Sequence, residues 1–265
     1  MLKPTPSFEL REALCAQLEA AIAAFESPSP VEAVHRGRTS LKRARALARL
    51  AHLCAPETAG QIISGIRAIM RRFSDVRDLD AIAACAKSYA EQEEGRTRKA
   101  LFYLSRKVAA RRHAMECPSL GEAARDARAL AATAQGWPTI ADKKHVRAGA
   151  ERLDRRVRRA FKEAQLTGEV EDRHKWRQRE KERLYAALLL GDAWPKKLPR
   201  RTQRAQRLGE LLGRERDTMM LIAQVRREPA LAGAPDDADL VQAFLGKKLK
   251  KLRKQTDKIG KDLHR

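Results

Sequence analysis

Apolar residues recur three and four positions apart along almost the whole chain, the period of one face of an α-helix. Leu10, Leu14, Leu18 and Ile22 form the first such stripe and predict a helix over 7–26 with Ser7 as its N-cap. Ser27-Pro28-Ser29-Pro30 breaks it. A second helix over 31–54 places Val34, Leu41, Ala44, Ala48 and Leu50 on its apolar face and stops before Pro56. A long third helix over 57–90 carries Ile62, Ile66, Ile69, Phe73 and Val76 as its seam, and Gly95 turns the chain into a fourth over 96–116. The alanine-rich stretch 120–134 predicts a shorter helix, closed by Gly136-Trp137-Pro138. Further helices are predicted over 143–166, 170–190, 200–227 and 236–263. They are separated by Thr167-Gly168, by a turn with Gly191, Pro195 and Pro199, and by a loop from Pro229 to Pro235. Strong helix formers dominate and β-branched runs are few, so the fold class is all-α. Two sets of four helices, 7–116 and 143–265, joined by a connector over 117–142, suggest two four-helix bundles.

The polar side of the second helix is the first unusual feature. His35, Arg38, Lys42, Arg45 and Arg49 fall at i, i+3, i+7, i+10 and i+14, one basic stripe rising roughly 5 Å per turn. Almost no acid stands between Glu32 and Glu57 to relieve the repulsion by i, i+4 pairing. Taken alone, such a face could simply be solvated. It recurs, however: VEAVHRGR at 31–38 returns as VEDRHKWR at 170–177. Val31 and Val170, Glu32 and Glu171, His35 and His174, Arg38 and Arg177, and Lys42 and Lys181 pair at one offset (174 − 35 = 139). The same offset carries Arg77-Asp78 onto Arg216-Asp217 (216 − 77 = 139). The chain therefore holds two copies of one structural unit.

Charge sharpens the picture. The formal net charge is +22, which points to a polyanionic partner: nucleic acid, an acidic membrane or polyphosphate. It is uneven, with 22 basic and 15 acidic residues over 1–140 (+7) and 34 and 19 over 141–265 (+15). On the last helix Lys247, Lys250, Lys254, Lys258 and Lys261 step along one stripe, while Val241, Leu245, Leu249, Leu252, Ile259 and Leu263 point another way. Cys15, Cys54, Cys85 and Cys117 lie far apart with no CxxC pair, and read as small core residues in a reducing compartment. With no signal peptide and no 18-residue apolar run, a cytoplasmic chain without a membrane span is expected.

Arg77 in FSDVRDLD stands one turn from Phe73 and Met70, so its guanidinium approaches the buried side and needs an anion. Either a neighbouring acid such as Asp78 or Asp80, or a ligand phosphate, would serve. Arg216 in RERD has the same surroundings, with Asp78 and Asp217 in a supporting role. His35 and His174 could ligate a metal, act as bases or donate to phosphate. Their neighbours Arg36, Arg38, Lys175 and Arg177 oppose a metal ion, which leaves phosphate contact. His52, His113, His145 and His264 lack any such repeat and are read as surface residues. No Gly-rich phosphate loop exists, since Gly246-Lys247 is followed by Lys248. Asp75, Asp78 and Asp80 could hold magnesium, but their second-copy equivalents are Arg214, Asp217 and Met219. No catalytic nucleophile, metal site or cofactor is expected.

HRGRTSLKRAR, FSDVRDLD, HKWRQREKERLY and the basic C-terminal helix together resemble the CHAD domain, the conserved histidine α-helical domain. The resemblance spans nearly the whole chain. It implies two four-helix bundles related by a pseudo-two-fold around a basic central groove or pore. It also implies binding of inorganic polyphosphate without hydrolysis, with polyphosphate granules as a candidate location. The motif positions carry over to His35, Arg38, Lys42, Arg45 and Arg77, then His174, Arg177, Lys181 and Arg216. Arg36 stands where the family often has Asp, and Leu184 where the first copy has Arg45, with Arg183 one position earlier as its substitute. Arg49 from the ladder and Lys247, Lys250 and Lys254 from the last helix complete the expected polyphosphate-binding set. Nucleic-acid binding is the competing reading; against it, aromatics for base stacking are only 5% of residues and no reading motif is visible.

Overall fold

The computed structural model describes residues 9–137, 143–191 and 199–264. Its α-helices are α1 (Leu10–Phe25), α2 (Pro30–Ala51), α3 (Pro56–Arg72), α4 (Ser74–Ala90), α5 (Gly95–Ala114), α6 (Leu120–Gln135), α7 (Lys143–Thr167), α8 (Val170–Leu190), α9 (Pro199–Arg227) and α10 (Pro235–His264). A short 3-10 turn covers Pro229–Ala232, and no strand occurs among the described residues. The all-helical reading holds. The expected cap at Ser7 and the turn at Pro195 lie outside the described residues.

Local chemistry accounts for the breaks. Pro56 opens α3 at a position where its missing N–H is not needed. Ser119 Oγ accepts the Glu122 backbone N–H at 3.2 Å and caps α6. Gly168 sits at φ +65°, the left-handed conformation that turns the chain from α7 into α8. The expected third helix over 57–90 is in fact two helices, parted at Phe73 (φ −94°, ψ 13°). Phe73 is fully buried, and its ring stacks on Phe25 with centroids 5.7 Å apart. Burying a side chain of that size stabilises by roughly 1.5–3 kcal/mol, enough to hold the chain at the bend. The apolar spacing runs straight through the break, because Ile69, Phe73 and Val76 are all buried.

Packing divides the chain into two compact units by a different rule from the sequential segments 7–116 and 143–265. One unit is Met1–Phe73, Pro118–Thr167 and Gln178–Ala205; the other is Ser74–Cys117, Gly168–Arg177 and Gln206–Arg265. Each takes helices from both halves of the sequence.

In the first unit α1 packs on α2 and α6, and α2 packs on α3 and α7. Leu14, Leu18, Leu41, Leu47, Ile62 and Ile66 form its centre. The expected apolar face of α2 is buried as read: Val34, Leu41, Ala44, Ala48 and Leu50. The alanine-rich stretch, expected as a connector, is a core helix. Ala123, Ala124, Ala127, Ala131 and Ala134 of α6 are all buried in this unit. Small residues permit close approach. A Cβ on Gly37 would meet the Phe25 ring at 2.5 Å, and one on Gly149 would collide with the Leu50 backbone carbonyl.

In the second unit α4 packs on α5, and α10 packs on α5 and the 3-10 turn. Leu101, Leu104, Leu221, Val225, Val241 and Leu245 form its core. Tyr89 and Thr218 share a buried hydroxyl–hydroxyl hydrogen bond of 2.8 Å. On α10, Val241, Leu245, Leu252 and Leu263 are buried, Leu249 and Ile259 are half-buried, and Lys247, Lys250, Lys254, Lys258 and Lys261 are exposed.

The cysteines are free thiols, but Cys117 is exposed, where a core position was expected, because it follows the end of α5 outside either core. No helix among the described residues is long and apolar enough to cross a membrane.

Candidate functional site

Both units carry a concentration of basic side chains, each built around a repeat of the histidine motif. In the first unit the stripe of α2 is not one uniform rail. His35 is exposed and Lys42 half-buried. Arg38 is buried, and its Nη1 donates to the carbonyl of Met70 in the last turn of α3. The contact ties α2 to the end of α3.

Arg45 and Arg49 turn toward Glu182 of α8, whose side chain is 2% exposed. Arg45 Nη2 lies 3.6 Å and Arg49 Nε 3.1 Å from Glu182 Oε1, while Arg179 Nη1 donates to Glu182 Oε2 at 2.8 Å. The Arg49 contact is close enough for ion pairing but lacks hydrogen-bond alignment, as neither atom has such a partner among the described residues. Burial pushes Arg49 down to about 9, with Arg179, Arg156 and Arg45 adding to the effect and Glu182 opposing it. Arg45 and Arg156 are lowered in the same direction, burial first, with Arg67 and Arg179 acting on both. His52, expected at the surface, is half-buried, and burial with Arg152, Arg156 and Arg49 lowers its pKa. Arg45, Arg49, Arg67, Arg152, Arg156 and Arg179 therefore influence one neighbourhood in which Glu182 is the recurring anion. Arg49, held at about 9, is still a cation at neutral pH. Repulsion among these guanidinium groups is little screened where they are buried.

Arg183 is placed differently. It pairs with Glu180 at 2.9 Å and with Asp154 at 3.6 Å, so its charge is locally balanced. Lys181 is half-buried on the same helix.

In the second unit the two Arg-Asp pairs meet. Arg77 Nη1 lies 3.0 Å from Asp78 Oδ1, and its Nη2 lies 3.8 Å from Asp217 Oδ1. Arg216 Nη2 lies 2.9 Å from Asp78 Oδ1, and its Nη1 lies 3.5 Å from Asp217 Oδ1. Each arginine thus faces both aspartates. Next to this ring, burial pushes His174 down to about 4, helped by Arg216, Arg177 and Arg77 and opposed by Asp78. The imidazole is neutral at pH 7 and stands among cations.

Behind it Arg173 is buried, with its guanidinium 5.5 Å from the centre of the Trp176 ring. It bonds both carboxylate oxygens of Glu215, Asp257 at 2.9 Å and Thr256 at 2.7 Å. On α10, Lys247, Lys250 and Lys254 stand exposed, with no acid within ion-pair reach among the described residues.

Sequence reasoning missed Arg67, Arg152, Arg156, Arg173 and Arg179, and the carboxylates Glu182 and Glu215. Arg179 and Glu182 were open to detection as an i, i+3 pair. The others are joined by tertiary packing alone. Asp75, Asp78 and Asp80 do not gather: Asp78 belongs to the arginine ring, Asp80 lies 3.2 Å from Arg112, and Asp75 is exposed. Among the described residues no group of three or more His, Cys, Asp or Glu is placed to hold a metal ion.

Comparison with known proteins places these clusters in context. Residues 9–226 match the family model of the CHAD domain. The crystal structure of the CHAD domain from the plant Ricinus communis superposes with a TM-score of 0.66 at 18% identity, covering 100% of this chain and 97% of that one. No curated protein sequence matches the chain.

Proposed function

The chain belongs to the CHAD domain family, which is associated with polyphosphate binding, and on that premise we propose that it binds inorganic polyphosphate through its basic clusters without catalysis. The observation that carries the reading is the excess of guanidinium groups around Glu182: Arg45, Arg49 and Arg179 all approach one buried carboxylate. A linear polymer with a charge on every phosphate supplies the missing anion at many points and can follow an irregular row of cations. His35, Lys42 and Lys181 extend the first cluster, and Arg77, His174, Arg177 and Arg216 form the second. Arg183, held by Glu180 and Asp154, contributes less than the expected set gave it. Lys247, Lys250 and Lys254 add exposed point charges on α10.

A competition experiment tests the reading. Long-chain polyphosphate and duplex DNA of matched total charge compete for the protein at about 150 mM salt. Polyphosphate is expected to displace the DNA. Retention of the DNA in a molar excess of polyphosphate would favour a nucleic-acid binder instead.

A further inference from the structure

Two buried charges adjoin the second cluster without reaching solvent. Arg173 is 4% exposed and Glu215 1%. Arg173 Nη2 donates to Glu215 Oε2 at 2.9 Å while its Nε bonds the other oxygen. Replacing such a pair by well-packed apolar residues is commonly neutral or stabilising, so net stability alone does not explain it. Its position in the chain does. Arg173 directly precedes His174 and Glu215 directly precedes Arg216, so the pair fastens α8 to α9 one residue before each motif side chain. A two-pronged guanidinium–carboxylate bond fixes both distance and rotation, and a slide of one residue along either helix would break it. The repeat offset supplies a second observation. In the first copy the equivalent positions are Val34 (173 − 139 = 34) and Val76 (215 − 139 = 76), and both are buried.

We propose that Arg173 and Glu215 form a register key, a positioning pair that sets where His174 and Arg216 stand relative to each other and so tunes the hold on the polyanion. Its action is geometric: the first copy has apolar residues where the second has opposed charges. The proposal rests on the reading that His174 and Arg216 belong to the polyphosphate-binding surface.

The test uses the full chain and two measurements, the NMR titration of the His174 ring without ligand and the affinity for long-chain polyphosphate. Glu215→Gln keeps the shape but removes the buried charge of the two-pronged bond, leaving Arg173 only Asp257 as a carboxylate partner among the described residues. The lost negative charge alone would lower the His174 midpoint further, so the slip of register is read as the ring gaining solvent, a rise from about 4 of at least one unit toward 6.5, with polyphosphate binding weakened about tenfold. The paired variant Arg173→Met with Glu215→Leu is expected to restore both values to those of the parent. A folded Glu215→Gln protein whose midpoint stays or falls, or whose affinity is unchanged, overturns the key. So does a paired variant that fails to fold, or that folds with His174 titrating near 6.5. Because the titration needs no ligand, a parent chain that does not bind polyphosphate sinks the functional reading and leaves the key to be judged on His174 alone.

Discussion

On the proposed reading, His174 is the residue at which folding and ligand binding are most tightly coupled. Its folded pKa, about 4, lies below the ordinary 6.5, so the unfolded chain binds the extra proton more readily. Stability from this group is therefore fully present above pH 6.5 and is lost as pH falls from 6.5 toward 4. A bound polyanion has the opposite effect, since it favours the imidazolium, and proton uptake then accompanies binding in that window. Polyphosphate affinity is expected to strengthen between pH 7.5 and 5.5. In His174→Gln part of that slope disappears, which calorimetry across the pH series reads directly. Arg38 separates structure from binding. It bonds the Met70 carbonyl from a buried position, so Arg38→Ala should cost about 1–3 kcal/mol in urea unfolding. Lys250→Ala, at an exposed site, should leave stability within about 0.5 kcal/mol while weakening polyphosphate binding. The basic stripe of α2 was legible in the sequence, yet the diversion of Arg38 was not. A carbonyl acceptor at the end of another helix leaves no mark on residue identity. Arg173 was hidden for a related reason, since its partner Glu215 lies 42 residues away.

At the scale of the element, periodicity carried most of the information. The helix read over 170–190 is α8 as found, and the buried face of α2 contains the five residues expected there. Where the reading departed, two kinds of cause were at work. The bend at Phe73 leaves the three-and-four spacing of apolar residues intact, so no count of intervals could reveal it; the stacking partner Phe25 sits two helices away. The alanine-rich helix α6 was read as part of a connector because it lies between the two motif-bearing segments. Its alanines are buried because small side chains let α6 lie close to α1 and α3. The same logic makes Gly149 a sensitive point. Its missing Cβ leaves room for the Leu50 carbonyl, and backbone cannot swing aside as a side-chain tip can. Gly149→Val is expected to destabilise by at least about 2 kcal/mol, seen as a lower thermal midpoint, with helicity retained at low temperature.

For the molecule as a whole, charge and family point the same way. A net charge of +22 excludes few partners by itself, but it is unevenly placed: Arg45, Arg49 and Arg179 converge on the single carboxylate of Glu182, while Arg77 and Arg216 meet Asp78 and Asp217 in equal number. The constant offset between the two histidine motifs is written in the sequence. The way packing interleaves the two halves is not, because the offset says which residues correspond and nothing about which helices touch. Binding by many phosphate contacts should weaken steeply with salt, and the slope of log affinity against log salt should shrink when Arg67 and Arg179 are both changed to Gln. The central claim, that the protein holds polyphosphate and leaves it intact, is tested most directly by one gel. Long-chain polyphosphate is incubated with the protein and magnesium at about 150 mM salt, run native to read retention, and run again after protein removal to read chain length. Retarded chains of unchanged length are the predicted result; chains that migrate freely, or that emerge shortened, would contradict it.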